Sequence, residues 1–251
     1  MHGEESVSDL PPGKRAEIES SRRALEEGTI YGKPFRPRWG SQYWVKWATI
    51  VEAFNRVGVA PGARVLDVGC GMGWTTAFLA EAGYAPVGID IAPASIEAAR
   101  TLASRWQVAA EFETADMEAF DLGRTFEAAL VFDALHHSEH PDLVVACIAR
   151  HLEPGGWVLF GEPSWLHEIS PHARSTHREL GWTERGIRVS RLRRYCRDVG
   201  LGEFRRFYEG TRPYERRGRE FLWQLVRLAA ANTWVAPQTS IWVAARKPPA
   251  A

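Results

Sequence analysis

The stretch from Arg64 to Asp90, RVLDVGCGMGWTTAFLAEAGYAPVGID, constrains the fold more than any other, because it reads as strand, glycine turn, helix and strand in succession. Val65-Leu66-Asp67-Val68 is apolar and β-branched enough for a buried parallel strand, and it runs directly into Gly69-Cys70-Gly71-Met72-Gly73. Glycines at alternate positions let the backbone turn sharply and approach a ligand, since no Cβ blocks a positive φ or a close contact. Helix formers follow from Thr75 to Ala82, Gly83 stops them, and Pro86-Val87-Gly88-Ile89-Asp90 gives a second strand ending in a carboxylate. An acid at that point can accept both hydroxyls of a ribose.

The same alternation continues downstream. Ala92 to Arg105 reads as a helix with Pro93 in its first turn, Ala110 to Ala115 as a third strand and Phe126 to Leu135 as a fourth. A helix over Pro141–His151 follows, then a turn at Pro154-Gly155-Gly156 and a fifth strand over Trp157–Gly161. Ser190 to Val199 predicts the last crossover helix, capped by Ser190, and strands six and seven fall at Glu203–Tyr208 and Ser240–Arg246. Strands alternating with helices demand an α/β fold, a doubly wound, mostly parallel seven-stranded sheet whose ligand lies beyond the carboxyl ends of the strands.

The glycine spacing separates two nucleotide-type ligands. A nicotinamide fingerprint is G-x-G-x-x-G, whereas this turn is D-x-G-x-G-x-G with an acid inside the strand. Asp67 to Gly73 resembles the first motif of class I S-adenosylmethionine-dependent methyltransferases. Four further features follow in that family's order: Gly88-Ile89-Asp90, Ala115-Asp116-Met117, Phe132-Asp133-Ala134-Leu135-His136-His137 and Leu152-Glu153-Pro154-Gly155-Gly156. The resemblance covers residues 60 to 165 and implies a Rossmann-like methyltransferase fold with S-adenosylmethionine as cofactor. On that basis Gly69, Gly71 and Gly73 bring backbone close to the cofactor, and Asp67 orients its ammonium. Asp90 holds the ribose, Asp116 accepts from the adenine amino group, Met117 or Ile91 packs on the ring, and Asp133 sits where strand four reaches the methyl donor.

Methyl transfer is an in-line displacement from a sulfonium, so alignment and exclusion of water are the main requirements. A hydroxyl acceptor also has to lose a proton, and an imidazole suits that near neutral pH. His136 and His137 follow strand four; adjacent histidines point in different directions, so one of them is the candidate base, with His137 reaching further from the sheet. A solvated loop is the plain alternative. Six imidazoles (His136, His137, His140, His167, His172 and His177) match no closed zinc spacing, and no cysteine accompanies them, so no metal is expected. The Asn/Asp-Pro-Pro-aromatic signature of adenine amino methyltransferases is missing, which argues against a nucleic-acid base.

The flanks depart from the family pattern. Residues 1–23 are polar, carry Pro11-Pro12-Gly13 and show no period, so they are read as a mobile arm. Residues 24–58 hold Tyr31, Phe35, Trp39, Tyr43, Trp44 and Trp47 and end in a helix over Gln42–Val57. They either pack on the sheet edge or form an aromatic lid over the ligands, as family members resembling this chain often do. The catalytic domain is placed at 59–251, with irregular covers at 163–189 and 211–239. Acceptor-facing candidates from these segments are Trp39, Tyr43, Trp165, His167 and Trp182.

A formal net charge of zero gives no field that favours nucleic acid, and no apolar run is long enough to span a membrane. Neither the N-terminus nor the three scattered cysteines suggests export, so a cytoplasmic protein with reduced thiols is expected. The expected function is methylation of a small-molecule acceptor, at the hydroxyl of a natural product or sugar, and a homodimer is compatible with it. Transfer to nitrogen or carbon and a catalytically silent cofactor-binding subunit are the alternatives, with a nicotinamide-dependent oxidoreductase disfavoured by the glycine spacing.

Overall fold

The computed structural model describes residues 7–32, 40–207 and 240–250. Seven strands form one sheet in the order β3-β2-β1-β4-β5-β7-β6. They are β1 (Arg64–Val68), β2 (Ala85–Asp90), β3 (Glu111–Thr114), β4 (Phe126–Phe132), β5 (Leu152–Pro163), β6 (Gly202–Phe207) and β7 (Ser240–Arg246). Neighbours are parallel from β3 through β5, and β7 runs antiparallel to both β5 and β6. The strand order reverses between β1 and β4, which places a crevice at the carboxyl end of β1.

Both faces of the sheet are covered, because side chains alternate along each strand. Leu66 and Val68 of β1 pack with Val144 and Ile148 of α5 (Pro141–His151) and with Leu192 and Cys196 of α7 (Val189–Asp198). Val65 points the other way, onto a cluster with Ile50 and Phe54 of α2 (Gly40–Val57), Ala77 and Leu79 of α3 (Trp74–Glu81) and Leu102 of α4 (Pro93–Trp106). All three cysteines are free and buried.

Several elements differ from the sequence reading. Pro12–Glu26 is a helix, α1, where an arm without regular structure was expected. Gly13 is its one buried residue, so no apolar stripe announced it. Pro12 opens it, Arg22 bridges Glu19 and Glu26 along it, and polar contacts dock it. The Pro154-Gly155-Gly156 turn is a bulge within β5: Leu152 already pairs with Phe126, Trp157 pairs with Ala128, and Gly155 takes a φ of 84°. Beyond β4 the chain leaves the sheet for a 3-10 turn over Leu135–His137.

Residues 163–189, expected to be irregular, contain α6 (Pro171–Leu180). The Ser170 hydroxyl accepts from the Ala173 N–H, and Gly181 ends the helix at a φ of 74°. Only Ala173 is buried, which is why no period was legible. Helix α7 starts one residue before Ser190 and has no side-chain cap, since Arg188 occupies that position. Trp39, Tyr208 and the cover at 211–239 lie outside the described residues.

Candidate functional site

A cavity of about 1030 Å³ opens at the carboxyl ends of β1, β2 and β4, with α1 along one side. Gly69, Gly71, Asp90, Ile91, Asp116, Met117 and Asp133 line one part of its wall, and Tyr43, His136, His137, His167 and Trp182 another. Gly73, Asp67 and Trp165 do not line it. Trp165 is 42% exposed, with the Arg188 guanidinium 4.9 Å over its ring, so it lies away from the position expected for it.

The glycine turn and Asp90 form one unit. Gly69, Gly71 and Gly73 take φ values of 72°, 54° and 80°, a region side chains avoid. A Cβ at Gly69 would meet that of Ala134 at 2.5 Å, and one at Gly73 that of Ala99 at 2.6 Å, whereas Gly71 faces open space. The Gly71 and Ala92 N–H groups each donate to a different oxygen of Asp90 at 2.9 Å. This fixes the carboxylate at the cavity wall with acceptor capacity left on both oxygens. Burial pushes its pKa up, against the pull of those two donors.

Asp67 was expected to meet a ligand ammonium. Its side chain instead turns to the start of α3, where Thr75 and Thr76 hydroxyls both donate to Oδ2 at 2.6 Å. Burial pushes its pKa up to about 6 despite those bonds. Asp116 is part of a salt cluster: Lys14 of α1 reaches Asp116 Oδ2 at 2.6 Å and Glu118 Oε2 at 2.7 Å. Burial favours a neutral Lys14, but the two carboxylates outweigh it and hold the ammonium charged. Glu118 also accepts from the Ser138 hydroxyl and the N–H groups of Glu139 and His140, which ties the cluster to the loop after β4.

Beside the glycine turn, where Ala134 meets Gly69, the chain after β4 meets the segment 163–189. Asp133 takes a φ of 54°, a strained conformation for a non-glycine residue, and Leu135–His137 turns immediately after it. Glu162, fully buried at the end of β5, accepts from the N–H groups of Ala134 and Leu135 at 3.0 Å. Its other oxygen lies 2.9 Å from His136 Nδ1, so that imidazole donates through Nδ1 and carries its lone pair on Nε2. His137 Nδ1 lies 2.9 Å from the Thr183 carbonyl, which can only accept, so its lone pair is on Nε2 as well. Glu184 is held by His167, whose Nε2 is 2.6 Å from Oε2.

The two imidazoles differ electrically. Burial disfavours a charged His136, yet the hydrogen bond and charge of Glu162 outweigh it and raise its pKa. Burial together with the neighbouring His136 pushes His137 down to about 3, so it stays neutral and weakly basic. Of the two imidazoles, His136 is therefore the more basic. Glu162 and Glu184 were missed by the sequence reading; a lone acid closing an apolar strand was the available signal for the first, and nothing local marked the second.

Comparison with known proteins agrees with this fold. Residues 65–156 match the family model described as "Methyltransferase domain". The chain is similar to the "Ubiquinone biosynthesis O-methyltransferase" of Bordetella avium, 35% identical over 105 residues that make up 41% of this chain and 44% of that protein. The protein of the same name from Chromobacterium violaceum is 29% identical over 166 residues, 61% of this chain and 70% of its own length. The chain thus spans about half the length of some curated relatives it matches. Among solved structures, magnesium protoporphyrin IX methyltransferase from Synechocystis PCC 6803 with bound SAH shares the fold, with a TM-score of 0.65 and 18% identity over 93% of this chain and 97% of that one.

Proposed function

Because the chain carries a class I S-adenosylmethionine-dependent methyltransferase domain, we propose that it methylates a small-molecule acceptor at a hydroxyl, as on a natural product or sugar. The residues fit the cofactor: Asp90 keeps acceptor capacity at the wall, and Gly71 exposes backbone to open space beside it. Held there, S-adenosylmethionine would supply an electrophilic methyl carbon for the acceptor oxygen, with the thioether sulfur as leaving group.

The observation that supports an oxygen acceptor is the cluster of His136, His137 and Glu184 in the cavity wall. A neutral hydroxyl that attacks carbon becomes an oxonium unless its proton is drawn off, and a neutral amine has no such need. His136, oriented by Glu162, offers a lone pair for that proton; His137 hydrogen-bonds the acceptor without taking it. Tyr43 and Trp182 supply apolar walls, Trp182 with its ring edge-on to His137 at 5.4 Å between centroids. Helix α1 and residues 163–189 act as the cover that keeps water out.

The test is turnover with S-adenosylmethionine against a panel of hydroxylated and amine-bearing metabolites, with products identified by mass spectrometry and NMR. Expected are methyl ethers, with kcat falling about 10² to 10⁴-fold in His136→Ala while cofactor affinity holds. Exclusive N- or C-methylation, or full turnover in His136→Ala, would overturn the reading.

A further inference from the structure

Strand order sets which way a ligand lies in the cavity. Asp90 closes β2, His136 and His137 follow β4, and Asp116 follows β3, on the far side of β2 in the order β3-β2-β1-β4. A cofactor with its ribose at Asp90 and its methyl group toward the imidazoles therefore lays its adenine at Asp116. There the wall is an acid already paired with a cation. We propose that the Lys14 ammonium of α1 belongs to the cofactor site and donates a hydrogen bond to a ring nitrogen of adenine, N7 or N1, beside the amino group taken by Asp116. The role rests on the S-adenosylmethionine reading of this cavity and adds to it a residue from outside the strand–turn–helix–strand unit.

Hydrogens and lone pairs carry the case. An ammonium has three hydrogens and no acceptor. Lys14 Nζ directs one to Asp116 Oδ2 at 2.6 Å and one to Glu118 Oε2 at 2.7 Å, and its side chain lines the cavity. A third hydrogen remains, and among the described residues nothing else takes it. On Asp116, Oδ2 accepts from Lys14 and Oδ1 from the Glu118 N–H at 2.9 Å, so each oxygen keeps a lone pair for an amino hydrogen. Asp116 and Lys14 thus present an acceptor and a donor side by side. Adenine presents the converse pair, an amino donor beside a ring-nitrogen acceptor.

The donor is also held in place and kept charged. Glu118, which grips Lys14 through one oxygen, is tied through the other to the Ser138 hydroxyl and the Glu139 and His140 N–H groups. Gly13 seats the start of α1 so closely that a Cβ there would come within 2.6 Å of the Thr183 hydroxyl. Burial works against the ammonium charge, but the two carboxylates prevail. A charged donor makes a stronger bond than a neutral one, and a ligand that lacks the matching nitrogen leaves its hydrogen unpaired at a wall only 15% exposed.

Calorimetric titration of the full-length protein with S-adenosylhomocysteine and its 7-deaza and 1-deaza analogues, each lacking one ring nitrogen, tests this without any acceptor. Wild type is expected to bind at least one analogue about 10-fold more weakly than the parent, the scale of a lost hydrogen bond to a charged group. Lys14→Met removes the donor and should bring that analogue within about 3-fold of the parent, whatever happens to the affinity of both. A residue that only anchors α1 would instead weaken all three ligands alike and leave their ratios as in wild type. Where Lys14→Met binds too weakly to measure, Lys14→Gln, shorter and uncharged, gives the same comparison. Equal affinity for the three ligands in wild type, or a wild-type ratio kept in the variant, overturns the role of Lys14. Failure of wild type to bind S-adenosylhomocysteine at all would sink the cofactor reading and this role with it, so the two failures are distinguishable.

Discussion

Asp67→Asn isolates the energetic consequence of a buried acid behind the glycine turn. Asp67 is 1% exposed, accepts from two threonine hydroxyls, and has its pKa pushed by burial from 3.8 to about 6. Between those values the folded protein keeps a proton that the unfolded chain has released. Stability therefore falls as pH rises through this window and levels off above about 6. The full displacement is worth about 3 kcal/mol, of which roughly 1.4 kcal/mol accrues between about pH 5 and about pH 7.5. The amide cannot ionise, so the difference in melting temperature, variant minus wild type, should rise by about 3 to 6 °C between those pH values. Scanning calorimetry on the ligand-free protein at both pH values reads it directly. A difference that stays constant would mean that Asp67 titrates alike in both states and that burial does not govern it.

Asp90→Ala should weaken S-adenosylmethionine and its demethylated product by about 1.5 to 3 kcal/mol by titration calorimetry, the scale of charged hydrogen bonds, and unchanged affinity would remove Asp90 from the site. Lys14→Met should leave the Asp116 and Glu118 carboxylates without their cation and release α1, so that amides of residues 12–26 exchange about 10-fold faster or more, with α5 unaffected. Equal protection would show that α1 is held by other contacts.

What the sequence disclosed was encoded within single short segments. The Gly69–Gly71 turn and Asp90 lie on one strand–turn–helix–strand unit, so spacing alone located them. The His136 and His137 pair was visible, but the group that distinguishes them was not: Glu162 sits 26 residues downstream of His136 and acts only because β5 lies beside β4. Thr183, 46 residues from His137, and Lys14, 102 residues from Asp116, are likewise assembled by tertiary contact. Helices α1 and α6 escaped notice for another reason. Each buries a single residue, so neither writes an apolar period into its sequence, and their boundaries were signalled only by Pro12, Ser170-Pro171 and Gly181.

The polar docking of α1 has a consequence for how the cavity is governed. One helix touches the Asp116 end through Lys14, α4 through Ser21 and the imidazole end through Glu17, which stands 3.1 Å from His137. A cover held by apolar burial responds little to salt, but one held by ion pairs loosens as ionic strength rises, in proportion to how exposed each pair is. Because the same helix meets both ends, a ligand that displaces Lys14 from Asp116 acts on the element that also carries Glu17. Added salt therefore loosens the Lys14 end, whose partners Asp116 and Glu118 are ionic, more than the Glu17 end, where His137 is neutral.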